Sequence, residues 1–137
     1  MNVNDLWADV LQRSLDMVKA TMADFSEQEM LTRPAPGANH AAWQLGHLTN
    51  SETNMINAFR PGAAPALPPG FSERFAKEKA TGDNPADFLT KAELLAAFEK
   101  VRMASIAWVK SLSPQDYDQP APEKLRRWVR PRPVPGR

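Results

Sequence analysis

Cysteine is absent from this sequence of 137 residues, and histidine occurs only twice, at His40 and His47. Without cysteine, the chain can form no disulfide bond, no thiolate metal site and no catalytic thiol. A metal ion would therefore need nitrogen and oxygen ligands, and these two residues are the only sources of imidazole.

Long apolar runs are missing as well. No segment approaches the roughly 20 consecutive apolar residues that a helix needs to cross a bilayer. The N-terminal segment carries acidic residues among its apolar ones and lacks the basic start and apolar run of a secretory signal. We therefore expect a cytoplasmic protein with no membrane partner.

Charge is unevenly distributed along the chain. Residues 1–123 contain 11 Lys and Arg against 16 Asp and Glu, a net charge of −5, whereas residues 124–137 contain six Lys and Arg and no acid. A basic tail can bind nucleic acid. We do not expect that partner, because a frame-shifted reading of a GC-rich gene would give such an Arg/Pro-rich ending. We predict one domain over residues 1–129 and a disordered tail over 130–137.

Apolar residues recur at intervals of three and four in three segments, which predicts three long amphipathic helices. Proline-rich stretches between them predict loops, and no segment shows a strand pattern. The predicted fold class is therefore all-α, an up-down helical bundle. The helices are expected from Asn4 to about Ala23, from an Asn39 N-cap to about Phe59, and from a Thr90–Glu93 capping box to about Ser111, with single turns near 26–29, 72–77, 114–117 and 123–129.

The second predicted helix has two contrasting faces when residues are placed at about 100° intervals. One stripe is apolar and is predicted to face the core. The other face lies within about 60° of His47 and is polar, but it holds a tryptophan and neither Lys nor Glu, unlike an ordinary solvent-facing surface. The apolar stripe comprises Ala41, Leu45, Leu48, Met55, Ile56 and Phe59, and the polar face comprises His40, Trp43, Gln44, His47, Asn50, Ser51 and Asn54.

The polar face is a candidate ligand site, because imidazole is a good ligand for zinc and nickel. His40 and His47 lie seven residues apart, about 10 Å along the helix axis, so an ion would need further ligands from another helix. We interpret His47 as a candidate metal ligand, and His40, Trp43 and Ser51 as a possible pocket. Each residue also has a structural alternative. His47 could be a hydrogen-bonded surface histidine, His40 a histidine at the helix N-terminus that packs beside Trp43, and Trp43 a core aromatic.

Glu52 is unusual because it lies inside the apolar stripe, at about 140° from His47. A carboxylate in such a place is paired with a cation or belongs to a pocket. We predict an ion pair with an arginine such as Arg13 or Arg102.

The segment from Asn39 to Glu52 resembles the second-helix signature of the DinB-like superfamily of four-helix bundles, which includes bacillithiol-transferase-like proteins. The shared pattern is Trp-x-Leu-Gly-His-Leu at residues 43–48, preceded by Arg-Pro-x-Pro-Gly-x-Asn at residues 33–39. The resemblance extends over roughly residues 1–128. It implies that His47 points toward the interior of the bundle as a metal ligand.

The resemblance also implies a function. Family members complete a three-histidine site with a His-x-x-x-His pair on a fourth helix, and the divalent metal, zinc or nickel, supports thiol S-transfer from a small thiol to an electrophilic small molecule, or hydrolysis. This sequence has no histidine after His47. We therefore expect a DinB-like bundle without its C-terminal helix, with an incomplete metal site and no enzymatic activity as it stands.

A second function remains open at this point. A four-helix bundle that lacks one helix exposes an apolar trough, and large apolar patches mark surfaces for partners. The alternative to a metal enzyme is therefore a non-catalytic helical module that acts through self-association as a homodimer.

Overall fold

The computed structural model describes residues 1–127, which contain five α-helices and no strand. Three of the helices are long, so the predicted all-α bundle of three long helices is confirmed. No helix within these residues is long and apolar enough to cross a membrane. The predicted tail over 130–137 lies outside the described residues. The helices are α1 (Val3–Ala23), α2 (Ala41–Phe59), α3 (Phe71–Arg74), α4 (Lys91–Lys110) and α5 (Glu123–Arg126).

Side chains cap the three long helices. α1 and α4 begin with capping boxes, and the one at Thr90 is as predicted. The N-cap of α2 is His40, whose Nδ1 accepts a hydrogen bond of 3.1 Å from the backbone N–H of Trp43. The prediction of Asn39 as N-cap is wrong by one residue, because the imidazole nitrogen supplies the acceptor that a short polar side chain usually provides.

α4 forms the centre of the bundle, because it packs along both α1 and α2. An apolar groove separates the C-terminal half of α1 from the N-terminal half of α2, with Val18 and Met22 on one wall and Leu45 and Leu48 on the other. The core lies beneath this groove, where the long helices meet the loops. Its most deeply buried members include Leu15, Met30, Leu45, Phe71, Phe75, Leu94 and Phe98.

The predicted apolar stripe of α2 is only partly a core stripe. Leu45 and Ile56 are buried, but Leu48, Met55 and Phe59 remain 52%, 46% and 44% exposed. Within residues 1–127 there is no fourth long helix to cover this side of α2. Burial is therefore limited to the half of the stripe that faces α4.

The buried charge of Glu52 is paired with Arg102, which confirms the predicted ion pair. Nε and Nη2 of Arg102 donate to the two carboxylate oxygens at 2.8 and 2.9 Å, and Ser105 Oγ donates to Oε1 at 2.6 Å. Arg102 also donates to the carbonyl of Leu11 at 3.1 Å and to the hydroxyl of Ser14. Since both charged side chains are only 12% exposed, one arginine of α4 ties α1 to α2 in the interior.

Candidate functional site

The polar face of α2 is covered by a short segment of the long loop, residues 71–76. Gly70 starts this segment in the left-handed region, at φ +74°, which favours glycine. Phe71 and Phe75 follow on one face of α3 and its C-cap, and both side chains are buried. The part of the polar face that includes Trp43 and Asn50 is therefore internal, whereas Gln44 and Asn54 remain exposed.

Gly46 allows this segment to approach α2 closely. A Cβ atom at position 46 would lie 2.2 Å from the Phe75 ring, which is far inside van der Waals contact. The Phe75 ring packs directly against the helix backbone at position 46, and this contact explains the glycine of the Trp-x-Leu-Gly-His-Leu pattern.

Two side chains of α2 hold the backbone of the covering segment. Nε1 of Trp43 donates to the carbonyl of Ala76 at 3.1 Å, and Nδ2 of Asn50 donates to the carbonyl of Ser72 at 3.0 Å. Trp43 and Asn50 are 6% and 8% exposed, so these bonds satisfy donors that would otherwise be buried without partners. The predicted polar face therefore anchors a loop.

His47 is held from two directions. Its ring stacks on Trp43, with centroids 4.4 Å apart and an angle of 12° between the planes. Its Nδ1 lies 3.2 Å from the carbonyl oxygen of Phe75, and since a carbonyl only accepts, Nδ1 carries the hydrogen. In the neutral ring, Nε2 then has a free lone pair.

His40 has a different role from His47, although the two lie on the same face. Its side chain is fully buried, and both ring nitrogens are engaged: Nδ1 accepts from the Trp43 backbone, and Nε2–H donates to the carbonyl of Gly82 at 3.0 Å. The Phe88 ring packs edge-on against it at 4.7 Å. This geometry agrees with the helix-terminal interpretation, and the pocket role of His40 stays a prediction.

His47 and Ser51 together line an open cavity of about 590 Å³. The other two lining residues are Lys77, which follows the covering segment, and Arg127, which follows α5. Neither was a candidate from the sequence, since periodicity on α2 does not reveal which loop residues fold over it. The only feature of the sequence that drew attention to Arg127 was the basic composition of residues 124–137.

The described residues do not form a complete metal site. Within residues 1–127, no group of three or more His, Cys, Asp or Glu side chains is arranged to hold one. Residues 128–137 add no residue of these four types. The side chains of one chain therefore offer His47 as a single well-oriented nitrogen ligand and do not make a complete zinc site.

Comparison with known proteins agrees with the fold. A family model described as the DinB superfamily matches residues 11–135. Neither the curated proteins nor the solved structures contain a match to the chain.

Proposed function

Because the chain belongs to the DinB superfamily, we propose that His47 is a ligand position for a divalent metal ion, zinc or nickel. The hydrogen bond from Nδ1 to the Phe75 carbonyl carries this proposal. Metal-ligating histidines commonly donate their second ring N–H to a backbone carbonyl or carboxylate, which fixes the tautomer and the ring orientation. The stack on Trp43 adds a second restraint on the same ring.

One imidazole makes a weak site, so the proposed function is metal binding and not turnover. A catalytic zinc ion usually keeps three protein ligands and one open position. The thiol S-transferase or hydrolase activity implied by the family resemblance would need the remaining ligands from another molecule. No catalytic step is therefore assigned to the residues of this chain.

Imidazole NMR tests the ligand role directly. Before metal is added, the spectra should show the hydrogen of the His47 ring on Nδ1. When zinc or nickel is titrated into the full chain, the His47 ring signals should be the first to shift or broaden. His47→Ala should abolish the saturable binding measured by calorimetry. His40→Asn is the matched control, because asparagine can still cap α2. Equal binding by wild type and His47→Ala would overturn the proposal.

A second candidate function is self-association, favoured by a patch of large apolar side chains on α1 and α2. Viewed down the helix axis, the members on α1 lie within about 100° of the direction of Val18. Val18 lines the groove between the two helices. Each member of the patch is 44–69% exposed. We call this patch the apolar face, and it consists of Val3, Trp7, Val10, Met17, Leu48, Met55 and Phe59.

The size of the apolar face fits a second copy of the chain. Seven such side chains, each about half exposed, present roughly 700 Å² of surface, close to the ~800 Å² that each partner contributes to a standard interface. The largest apolar patch of an ordinary monomer is about 300–600 Å². We therefore propose a homodimer formed through this face, which is a non-catalytic function of the fold.

Sedimentation velocity over a range of concentrations tests the dimer. Met17→Glu places a charge in the apolar face and should give monomer. Met103→Glu is the matched control, since Met103 is 47% exposed on α4, outside the face, and its substitution should leave the dimer intact. A monomeric wild type, or aggregates of many sizes, would contradict a defined dimer.

A further inference from the structure

The open cavity beside His47 has a basic lining. Its volume is about 590 Å³, and the residues that line it are His47, Ser51, Lys77 and Arg127. Residues 1–123 carry a net charge of −5, yet none of the described Asp and Glu residues lines this cavity. We call it the His47 cavity. The imidazole to which we assign a metal ion therefore lies beside positive charge on an otherwise acidic domain.

Lys77 is positioned by the same loop that orients His47. The carbonyl of Phe75 accepts the hydrogen bond from Nδ1 of His47, and Lys77 follows Phe75 by two residues. In the described part of the chain, the ammonium group of Lys77 has no hydrogen bond or ion pair. Arg127 already has an interaction of its own. Lys77 is therefore the lining cation that can contact a ligand without losing a partner.

A bare divalent metal ion suits this cavity poorly for two reasons. Its charge has the same sign as that of Lys77, and no carboxylate in the lining offsets the repulsion. In addition, one imidazole leaves most positions on the metal ion without a protein ligand. The described residues therefore provide too few ligands and a charge of the wrong sign.

A metal ion that brings its own carboxylate ligands removes both problems. Carboxylate oxygens occupy positions on the metal ion, and their negative charges can make the whole complex an anion. The remaining carboxylate oxygens can accept a charge-assisted hydrogen bond from the Lys77 ammonium group. The hydroxyl of Ser51, which has no partner within the described residues, can donate as well. Pockets that hold small molecules measure about 300–1,000 Å³, so the His47 cavity has room for such a complex.

We propose that the His47 cavity takes its divalent metal ion as an anionic complex with a small molecule that carries several carboxylates. Nε2 of His47 binds the metal ion, and Lys77 binds a carboxylate of the complex. The carboxylates occupy positions for which this chain supplies no ligand. This inference rests on the proposed ligand role of His47 and adds the chemical class of the second component.

Two nickel complexes of opposite charge separate the effect of charge from that of the imidazole. Nitrilotriacetate and tris(aminoethyl)amine both leave positions on nickel open for His47, but the first complex is an anion and the second is a cation. Calorimetry on the full chain is done near physiological salt, where charges more than about 8 Å apart are largely screened. The anionic complex should bind about threefold more tightly, as expected for one exposed charge pair. His47→Ala should abolish the binding of both complexes.

The lysine is tested with a matched pair of variants. Lys77→Gln should weaken the binding of the anionic complex about threefold and should not weaken that of the cationic complex, so the preference disappears. Lys79→Gln is the control, because Lys79 is also exposed and lies in the same short turn but lines a different cavity. The control variant should keep the preference for the anionic complex.

The outcomes distinguish this inference from the ligand role of His47. Equal, His47-dependent binding of the two nickel complexes would overturn the inference and leave the ligand role intact. Equal losses in Lys77→Gln and Lys79→Gln would also overturn it. Binding of the anionic complex that survives His47→Ala would show a simple anion contact and contradict both proposals, as would failure of both complexes to bind.

Discussion

The two sides of α2 differ sharply in how they are covered. On one side, residues 71–76 seat an aromatic ring on Gly46 and receive hydrogen bonds from Trp43, His47 and Asn50. On the other side, the large apolar side chains of the helix remain about half exposed, and they are Leu48, Met55 and Phe59. We call these the covered side and the open side.

The comparison shows that hydrophobicity alone does not decide which side of this helix is buried. The covered side is the more polar of the two, and Trp43, His47 and Asn50 each donate to a carbonyl of the loop. Such pairing makes the burial of polar groups tolerable and specifies a single arrangement. The open side is apolar but is covered by no long helix within residues 1–127, and this is why it is the better surface for a partner.

The largest expected effect concerns the buried ion pair of Glu52 and Arg102, which joins α2 to the other long helices. Arg102→Met leaves Glu52 buried without its cation, and breaking a buried pair in this way costs about 3–5 kcal/mol of unfolding free energy. Urea unfolding followed by far-UV circular dichroism measures this loss.

Two further variants show whether this loss comes from burial. Arg13→Met removes an exposed arginine whose partner is Asp9, and should cost less than about 0.5 kcal/mol. Glu52→Leu combined with Arg102→Met removes both charges and should recover much of the lost stability, since apolar replacement of a buried pair is often neutral. A double variant as unstable as the single one would contradict the uncompensated charge as the cause.

A smaller effect is expected from Gly46→Ala on the covered side. Alanine favours a helix by up to about 1 kcal/mol over glycine, so a helix without the Phe75 contact would gain stability. The new Cβ would instead clash with the Phe75 ring, and we expect a net loss of about 2 kcal/mol, measured by urea unfolding.

Leu48→Ala provides the comparison from the open side. Leu48 is 52% exposed, so its truncation should cost less than about 1 kcal/mol. Gly46→Ala should also cost less in a Phe75→Leu background, where the ring that meets the new Cβ is smaller. If Gly46→Ala stabilised the protein, the close packing of the Phe75 ring against the backbone of α2 would be contradicted.

Much of the bundle could be predicted from the sequence because its signals are local. Apolar spacing and capping residues located the three long helices, and the position of Glu52 inside an apolar stripe predicted its arginine. These features depend on neighbours within about four residues along one helix, or on the high cost of burying an unpaired charge. The pattern around His47 also led to the correct family.

The covering of α2 could not be predicted in the same way. The segment 71–76 lies in a proline-rich loop whose path depends on contacts with residues more than 20 positions earlier, such as Asn50 and Gly46. Helical periodicity gives the angular position of a side chain and not what lies opposite it. For this reason the sequence marked Leu48 as core and did not mark Lys77 as part of the site.

The smallest effect is expected from the capping carboxylates, which hold helix starts and belong to neither side of α2. The backbone N–H and the hydroxyl of Thr90 keep the pKa of Glu93 below its ordinary value of about 4.5. A lowered pKa in the folded state means that the carboxylate stabilises the protein above about pH 4.5, and that this contribution is lost as the pH falls through the folded-state value. Glu93→Gln should therefore reduce the loss of stability on acidification between pH 5 and pH 3, as measured by urea midpoints across the range. The hydrogen bonds of the cap involve neither Gly46 nor Leu48. The difference in stability between Gly46→Ala and Leu48→Ala should therefore be the same with and without Glu93→Gln, and a changed difference would show that the start of α4 is coupled to one side of α2.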